Sequence, residues 1–227
     1  MHHKQLTPNL TQLTKAGMMN AYLVREDDGL TLVDSTMNAA DALIAAAERI
    51  GAPIRRIALT HGHGDHVGSV DALRERLGSE VPVLISELDA RALAGQYVDY
   101  GDKKRGSWPK LATQPDAFLK AGDRVGSLEV IESPGHTPGH VAFLDTRDRS
   151  LIAGDAFHAI GGLTVPNRPT FPFPLVWMGT CDREQALRSA RALRALEPEL
   201  IVVGHGKATP APTAAIDAAV ARAQRSA

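Results

Sequence analysis

Six consecutive residues, His61-Gly62-His63-Gly64-Asp65-His66, constrain this chain more than any other segment. They follow Ile54 to Leu59, a short segment that reads as a strand. In extended backbone successive side chains alternate, so His61 and His63 point the same way. Two imidazoles on one side make half of a metal site. Asp65 and His66 follow a flexible glycine and can turn toward a second metal. Imidazole with carboxylate suits zinc, and also iron or manganese. A cloning scar would sit at a terminus, whereas this run lies between a strand and a helix.

One loop cannot complete two metal sites, so partners are expected elsewhere. Ser133-Pro134-Gly135-His136-Thr137-Pro138-Gly139-His140 reads as a tight turn between strands. Ile152-Ala153-Gly154-Asp155 ends a strand on a carboxylate, and Val202-Val203-Gly204-His205-Gly206 ends one on a histidine. Each donor stands beside glycines that let the backbone approach closely.

The rest of the chain supplies the scaffold. Met18 to Val24 and Leu30 to Val33 read as a hairpin around Asp27-Asp28-Gly29. Asn38 or Asp41 is expected to cap a helix that runs to about Ile50 and stops at Gly51-Ala52-Pro53. Thr60 to Asp65 is expected as loop and Val67 to Leu77 as one helix. Val81 to Ile85 reads as a strand and Glu87 to Ala94 as a helix. Strand signals return at Leu128 to Ile131, Val141 to Leu144, Leu151 to Ala153 and Leu200 to Val203. Asp182 with Gln185 three residues on reads as a capping box opening a helix, and an Ala-rich helix from Thr213 to Gln224 follows. Gly95 to Pro115 and Gly161 to Met178 lack periodicity, and loops that long are expected to cover a site. His2 and His3 are expected to be disordered. With no linker signal, residues 1–227 read as a single domain.

Composition removes several classes of function. Lys+Arg 25 against Asp+Glu 26 gives no electrostatic case for nucleic acid or an anionic membrane. Aromatic content of 4% argues against stacking platforms for single strands. The lone Cys181 excludes an intramolecular disulfide and a Cys-rich zinc site, and is expected to pack rather than attack. The polar N-terminus and the short apolar runs give neither a signal peptide nor a membrane span, so a cytoplasmic location is expected.

With these residues in this order, the chain resembles the metallo-β-lactamase superfamily of metal-dependent hydrolases over nearly its whole length. The matching positions are Asp34, the His61 to His66 motif, His136, Asp155 and His205. The resemblance implies an α/β, four-layer αββα sandwich: two mixed sheets with helices outside and the site along the sheet edges. It implies that His61, His63 and His136 hold one divalent metal ion, that Asp65, His66 and His205 hold the other, and that Asp155 bridges both. Asp34 resembles the family's aspartate that holds the histidine loop from behind. The metals are expected as Zn2+, with Mn2+ or Fe2+ as alternatives. Two such ions share a hydroxide and orient it at an electrophilic carbon or phosphorus.

True β-lactamases of the superfamily generally lack the bridging aspartate, so Asp155 argues against an antibiotic hydrolase. The SPGHTPGH and GDAF patterns look like the glyoxalase II branch, but the chain ends soon after His205, so the separate glutathione-binding domain of glyoxalase II is expected to be absent. His158 occupies the place where organophosphate-hydrolysing and some lactonase relatives carry a histidine. It is expected, with Asp65, to be catalytic, donating a hydrogen bond to the substrate oxygen or leaving group. His140 is expected to be a structural turn residue. Phe157, Phe171, Phe173 and Trp177 are expected to wall the substrate pocket, with Tyr97, Tyr100 and Trp108 in the other loop. The expected reaction is hydrolysis of a small ester, a lactone or thioester first. The partner is then that small molecule, with a homodimer as the oligomer to test. An iron-dependent redox enzyme, a phosphotriester or phosphodiester hydrolase and a non-catalytic metal-binding protein are the alternatives.

Overall fold

A computed structural model describes residues 1–100 and 108–225. The first half of the chain runs β1 (His2–Gln5), β2 (Leu10–Lys15), β3 (Met19–Glu26), β4 (Gly29–Val33), α1 (Ala40–Ile50), β5 (Ile54–Ala58), α2 (Gly64–Val67), α3 (Val70–Leu77), β6 (Val83–Ser86), α4 (Glu87–Leu93) and β7 (Ala117–Leu119). The second half runs β8 (Arg124–Val125), β9 (Leu128–Glu132), β10 (Val141–Asp145), β11 (Ser150–Ile152), α5 (Leu175–Gly179), α6 (Arg183–Ala195), β12 (Leu200–Val202), β13 (Thr209–Pro210) and α7 (Thr213–Gln224).

The first sheet keeps sequence order, β1 through β7; its pairs are antiparallel up to β4 and parallel from β4 onward. The second is ordered β13-β12-β11-β10-β9-β8, with only β11 and β12 parallel. Side-chain alternation turns these two sheets into four layers. Along β3, Tyr22 and Val24 pack with Val33, Phe143, Ile152 and Val202 between the sheets. Ala21 and Leu23 face the other way, onto Leu43 and Ala46 of α1 and Leu73 of α3. Along β10, Phe143 points inward while Ala142 and Leu144 face Leu187, Ala190 and Leu193 of α6 and Ile216 and Ala219 of α7. Both sheets are therefore buried on two faces, which is why most strands read as apolar runs rather than alternating ones.

Several local expectations need correction. His2 and His3 are not a disordered tail: they lie in β1, opposite Thr14 and Leu13 of β2. Main-chain pairing holds that strand, and its polar side chains carry no period to read. Neither Asn38 nor Asp41 caps α1; the cap position is Ala39, whose N–H donates to Ser69 Oγ (2.8 Å). The expected loop at residues 60–65 becomes helical at Gly64, and the following helix is broken into α2 and α3. Gly68 sits at that break, where a Cβ would stand 2.4 Å from the Gly64 carbonyl oxygen. The irregular stretch 161–178 contains the start of α5. Of the other irregular stretch, 95–115, residues 101–107 lie outside the described residues. The Asp182 cap forms, its side chain accepting from the Gln185 N–H (2.8 Å).

Candidate metal centre

Strand ends deliver the donors to one place. Thr60 to His66 follow β5, His136 sits in the β9–β10 turn, Asp155 follows β11 and His205 follows β12. Their donor atoms form three overlapping groups, each within 4.8 Å: His61, His63 and His136; His61, His66 and Asp155; Asp65, His66 and His205. Asp155 Oδ2 lies 3.3 Å from His136 Nε2 and 3.3 Å from His205 Nε2, so one carboxylate touches both histidine sets. Asp65 Oδ2 is 3.1 Å from His205 Nε2. Close packing is built into the backbone: a Cβ on Gly204 would stand 2.2 Å from Asp155 Oδ1 and 2.6 Å from His66 Cε1.

The hydrogen bonds around the cluster fix which ring nitrogen faces it. Thr60 Oγ1 donates to Asp34, so it accepts the Nδ1–H of His61 (3.0 Å). Thr180 Oγ1 donates to the Val176 carbonyl and accepts the Nδ1–H of His136 (3.0 Å). His66 donates Nδ1–H to Asp34 Oδ2 (2.8 Å), and His205 donates Nδ1–H to the Met18 carbonyl (3.1 Å). Each of these four rings therefore turns Nε2 inward, while His63 presents Nδ1, 2.9 Å from His136 Nε2. Outer partners that set tautomer and ring angle are the usual companions of metal-bound histidine.

The residues fit a divalent cation on a further observation. His61 Nε2, His66 Nε2 and Asp155 Oδ1 are buried without a hydrogen-bond partner. Each such orphan costs about 1–3 kcal/mol unless something binds it. The charges agree. Burial holds His61 well below its ordinary range, with neighbouring His66, His136 and His63 adding to the effect. Burial also pulls on His66, but Asp34, Asp155 and Asp65 overcome it and raise that ring to about 9. Against the same pull, Asp155 and Asp65 raise His205 to about 10. Burial would raise Asp155, yet His205 and His66 hold it well below the usual carboxylate range. The carboxylates thus hold protons on two rings, in a place where a cation can displace them.

Asp34 braces the loop from behind. It sits at the end of β4 with φ 60, a left-handed conformation that Asp tolerates better than most residues. Its Oδ1 accepts from the Thr60 N–H (2.8 Å), in addition to the bonds from Thr60 Oγ1 and His66. His140 proves to be more than a turn residue. Its Nε2 accepts from the Asp155 backbone N–H (3.0 Å), so its proton lies on Nδ1, facing Ser133 Oγ (2.8 Å). Burial holds it down to about 3, which keeps the ring neutral and able to accept. Its position in the second half of the repeated Pro-Gly-His gave the only available signal.

A cavity of about 610 Å³ opens over the cluster. His63, Asp65, His136, Asp155 and His205 form its polar floor, and Trp108, Phe173, Val176 and Cys181 are among its walls. Met18, Met37, Leu175 and Met178 form a rim that is exposed to solvent. Of the four aromatics expected as walls, only Phe173 is one. Phe157 is in the core of the second sheet, with no exposed surface. Phe171 is 93% exposed, and Trp177 lies outside the lining with the Arg183 guanidinium 5.1 Å above its ring. Aromatic identity marks a loop as apolar, but only the backbone decides which residue faces inward. Tyr97 is exposed, while Tyr100 is buried with Trp108 and Cys181. His158 is buried beside Phe173, ring centroids 6.1 Å apart, outside the lining, and its Nδ1 has no hydrogen-bond partner.

Fold and site together define a two-sheet sandwich with a histidine–aspartate centre at the strand ends. Residues 14–205 match the model of the metallo-beta-lactamase superfamily, and the chain belongs to that superfamily of metal-dependent hydrolases. It is 38% identical to the uncharacterized protein YobT of Bacillus subtilis (strain 168) over 91% of both chains. It is 27% identical to the hydroxyacylglutathione hydrolase GloC of Haemophilus influenzae, covering 86% of this chain and 88% of that one. Among solved structures it resembles TTHA1623 in a di-iron-bound form, with a TM-score of 0.64 and 29% identity over 88% of this chain and 93% of that one.

Proposed function

We propose that the chain is a binuclear metal hydrolase of small, neutral or weakly anionic esters, most simply lactones or thioesters. The observation that carries this reading is the convergence of seven donor residues, with inward-facing ring nitrogens, five of which form the floor of an apolar cavity. His61, His63 and His136 would hold one metal; Asp65, His66 and His205 would hold the other; Asp155 would touch both. Two divalent cations supply an acidified water and a Lewis acid for the substrate oxygen. The thioester arm is supported by the likeness to a hydroxyacylglutathione hydrolase.

The protein's own groups do the positioning. Asp34, Thr60 and Thr180 hold the ligand rings by Nδ1. Phe173, Val176 and Trp108 exclude water from one side, and the methionine rim adapts to the apolar part of a substrate. The unpartnered Nδ1 of His158 keeps it a candidate hydrogen-bond donor to a bound substrate or its leaving group, although its buried ring lies beside Phe173 and outside the cavity lining. A cytoplasmic location belongs to the same reading, consistent with one buried free cysteine; among the described residues no helix is long and apolar enough to cross a membrane.

The test is a panel of lactones, thioesters, phosphotriesters and a carbapenem, assayed with protein loaded with zinc, manganese or iron. Metal-dependent turnover of lactones or thioesters is expected, with negligible opening of the β-lactam. Faster carbapenem turnover would reverse the assignment. The likeness to a di-iron-bound structure supports a second reading, an iron-dependent redox enzyme. Iron retained through purification, with visible colour and no ester turnover, would select it.

A further inference from the structure

Of the buried carboxylates outside the donor groups, Asp34 and Asp145 among them, Asp89 has no part in the roles given so far. Asp89, in the first turn of α4, has no exposed surface. Its Oδ2 accepts from the Gly62 N–H (2.8 Å) and from Thr137 Oγ1 (2.7 Å), and its Oδ1 accepts from the Gly139 N–H (2.8 Å). These three donors are its partners among the described residues. Gly62 lies between the ligands His61 and His63, whereas Thr137 and Gly139 belong to the turn that carries His136. The three donors thus come from two loops that sit in different sheets, and those loops supply the three histidines of one ligand group.

A buried charge without a cation is expensive, and an apolar residue would fill the same space at lower cost. What an apolar residue cannot do is receive three donors at once. The surroundings leave little slack. A Cβ on Gly139 would stand 2.1 Å from Ser86 Oγ and 2.7 Å from Asp89 Oδ1, and one on Gly62 would stand 2.3 Å from the Trp108 ring. Asp89 is itself anchored, because Ser86 Oγ accepts its backbone N–H as the cap of α4.

We propose that Asp89 is a positioning residue that clasps the His61–His63 loop to the His136 turn and so sets the spacing of that three-histidine ligand group. The proposal rests on the metal reading of the site given above. The clasp acts through backbone amides, so it controls where the rings stand without touching metal or substrate. Asp89→Asn keeps the shape but replaces one accepting oxygen by a donor that opposes an N–H. Thr137→Val removes one of the three donors and keeps the shape.

Zinc affinity, measured by competition with a chromophoric chelator, is expected to fall roughly 10–100-fold in Asp89→Asn, the usual range when a partner behind a ligand is lost. Thr137→Val is expected to fall less, and adding it to Asp89→Asn is expected to cost little more, since the shared bond is already weakened. The ester kcat should fall with the affinity while KM changes little. Leu43→Ala, a core truncation in α1 outside the three donor groups, controls for lost stability and should leave zinc affinity unchanged. In the metal-free protein the amide proton signals of Gly62 and Gly139 should move in Asp89→Asn and stay in Leu43→Ala. Unchanged zinc affinity in Asp89→Asn, or an equal loss in Leu43→Ala, overturns the proposal. If the wild-type protein takes up no zinc, the metal reading fails instead. The glycine amide signals then decide the clasp alone, and signals that do not move in Asp89→Asn overturn it.

Discussion

Asp155 and His158 are three residues apart and should fail differently when removed. Asp155 carries the only carboxylate within 3.3 Å of both His136 and His205 among the described residues. On the binuclear reading, Asp155→Ala removes the counter-charge that two cations would share. Elemental analysis should show fewer than two metals per chain, against about two in the wild type, and ester turnover should fall by several orders of magnitude. A wild-type stoichiometry that stays near one after reconstitution would defeat the binuclear reading. In His158→Ala metal content should stay unchanged, because its ring lies outside the three donor groups. Losing a donor that acts mainly in the transition state typically costs roughly 10²–10³ in kcat. The loss should be larger for poor leaving groups, which need more help. An unchanged rate across esters of graded leaving-group pKa would make His158 a packing residue. Both histidine and aspartate were legible as residues, since donor types beside glycines stood at strand ends. His140 and Asp89 were not, because what they hold is largely backbone N–H of distant segments, which no sequence pattern identifies.

The elements that matter are loops held by other elements, and Asp89 makes one such link sensitive to pH. Burial raises its carboxyl from 3.8 to about 6, against the hydrogen bonds from Thr137, Gly62 and Gly139. Between those two values the folded protein holds a proton that the unfolded chain releases. The contribution to stability is therefore fully present below pH 4 and is lost as pH rises through about 6. A shift of about two units corresponds to about 3 kcal/mol. Asp89→Asn cannot titrate. In metal-free protein its stability relative to wild type should rise by that amount between pH 4 and 6.5, as read from urea unfolding at a series of pH values. A difference independent of pH would mean that folding does not shift the Asp89 carboxyl. Elsewhere at this scale the strand runs and the Asp182 cap could be read from the sequence. β1 and the break between α2 and α3 could not, the first because main-chain pairing leaves no side-chain period, the second because Gly68 acts through a contact with Gly64.

Across the molecule, the donors come from both sheets: four follow β5 in the first, and His136, Asp155 and His205 belong to the second. Metal bound by these donors would staple the two halves, and any ligand that binds only the folded state stabilises it by mass action. Chelation should lower the thermal midpoint of wild type, and zinc should restore it. Asp155→Ala should lose most of that response. A midpoint indifferent to chelator would show that the metals do not cross-link the sheets.

The sequence by itself determined the donor set, its order along the chain and the apolar strands that carry it, because ligand chemistry and strand burial are written in residue type and period. The assembly of two sheets with helices outside was legible in the strand–helix–strand order of each half, and again in the resemblance those donors carry. The tertiary structure alone decided which nitrogen of each ring faces inward, since that depends on Asp34, Thr60, Thr180 and the Met18 carbonyl. It also decided the cavity walls, turning Phe157 into the core and Phe171 to solvent while lining the mouth with methionines. Side-chain direction in an irregular loop follows from backbone angles that no local pattern specifies, and a buried hydrogen bond between distant segments exists only once the chain has closed.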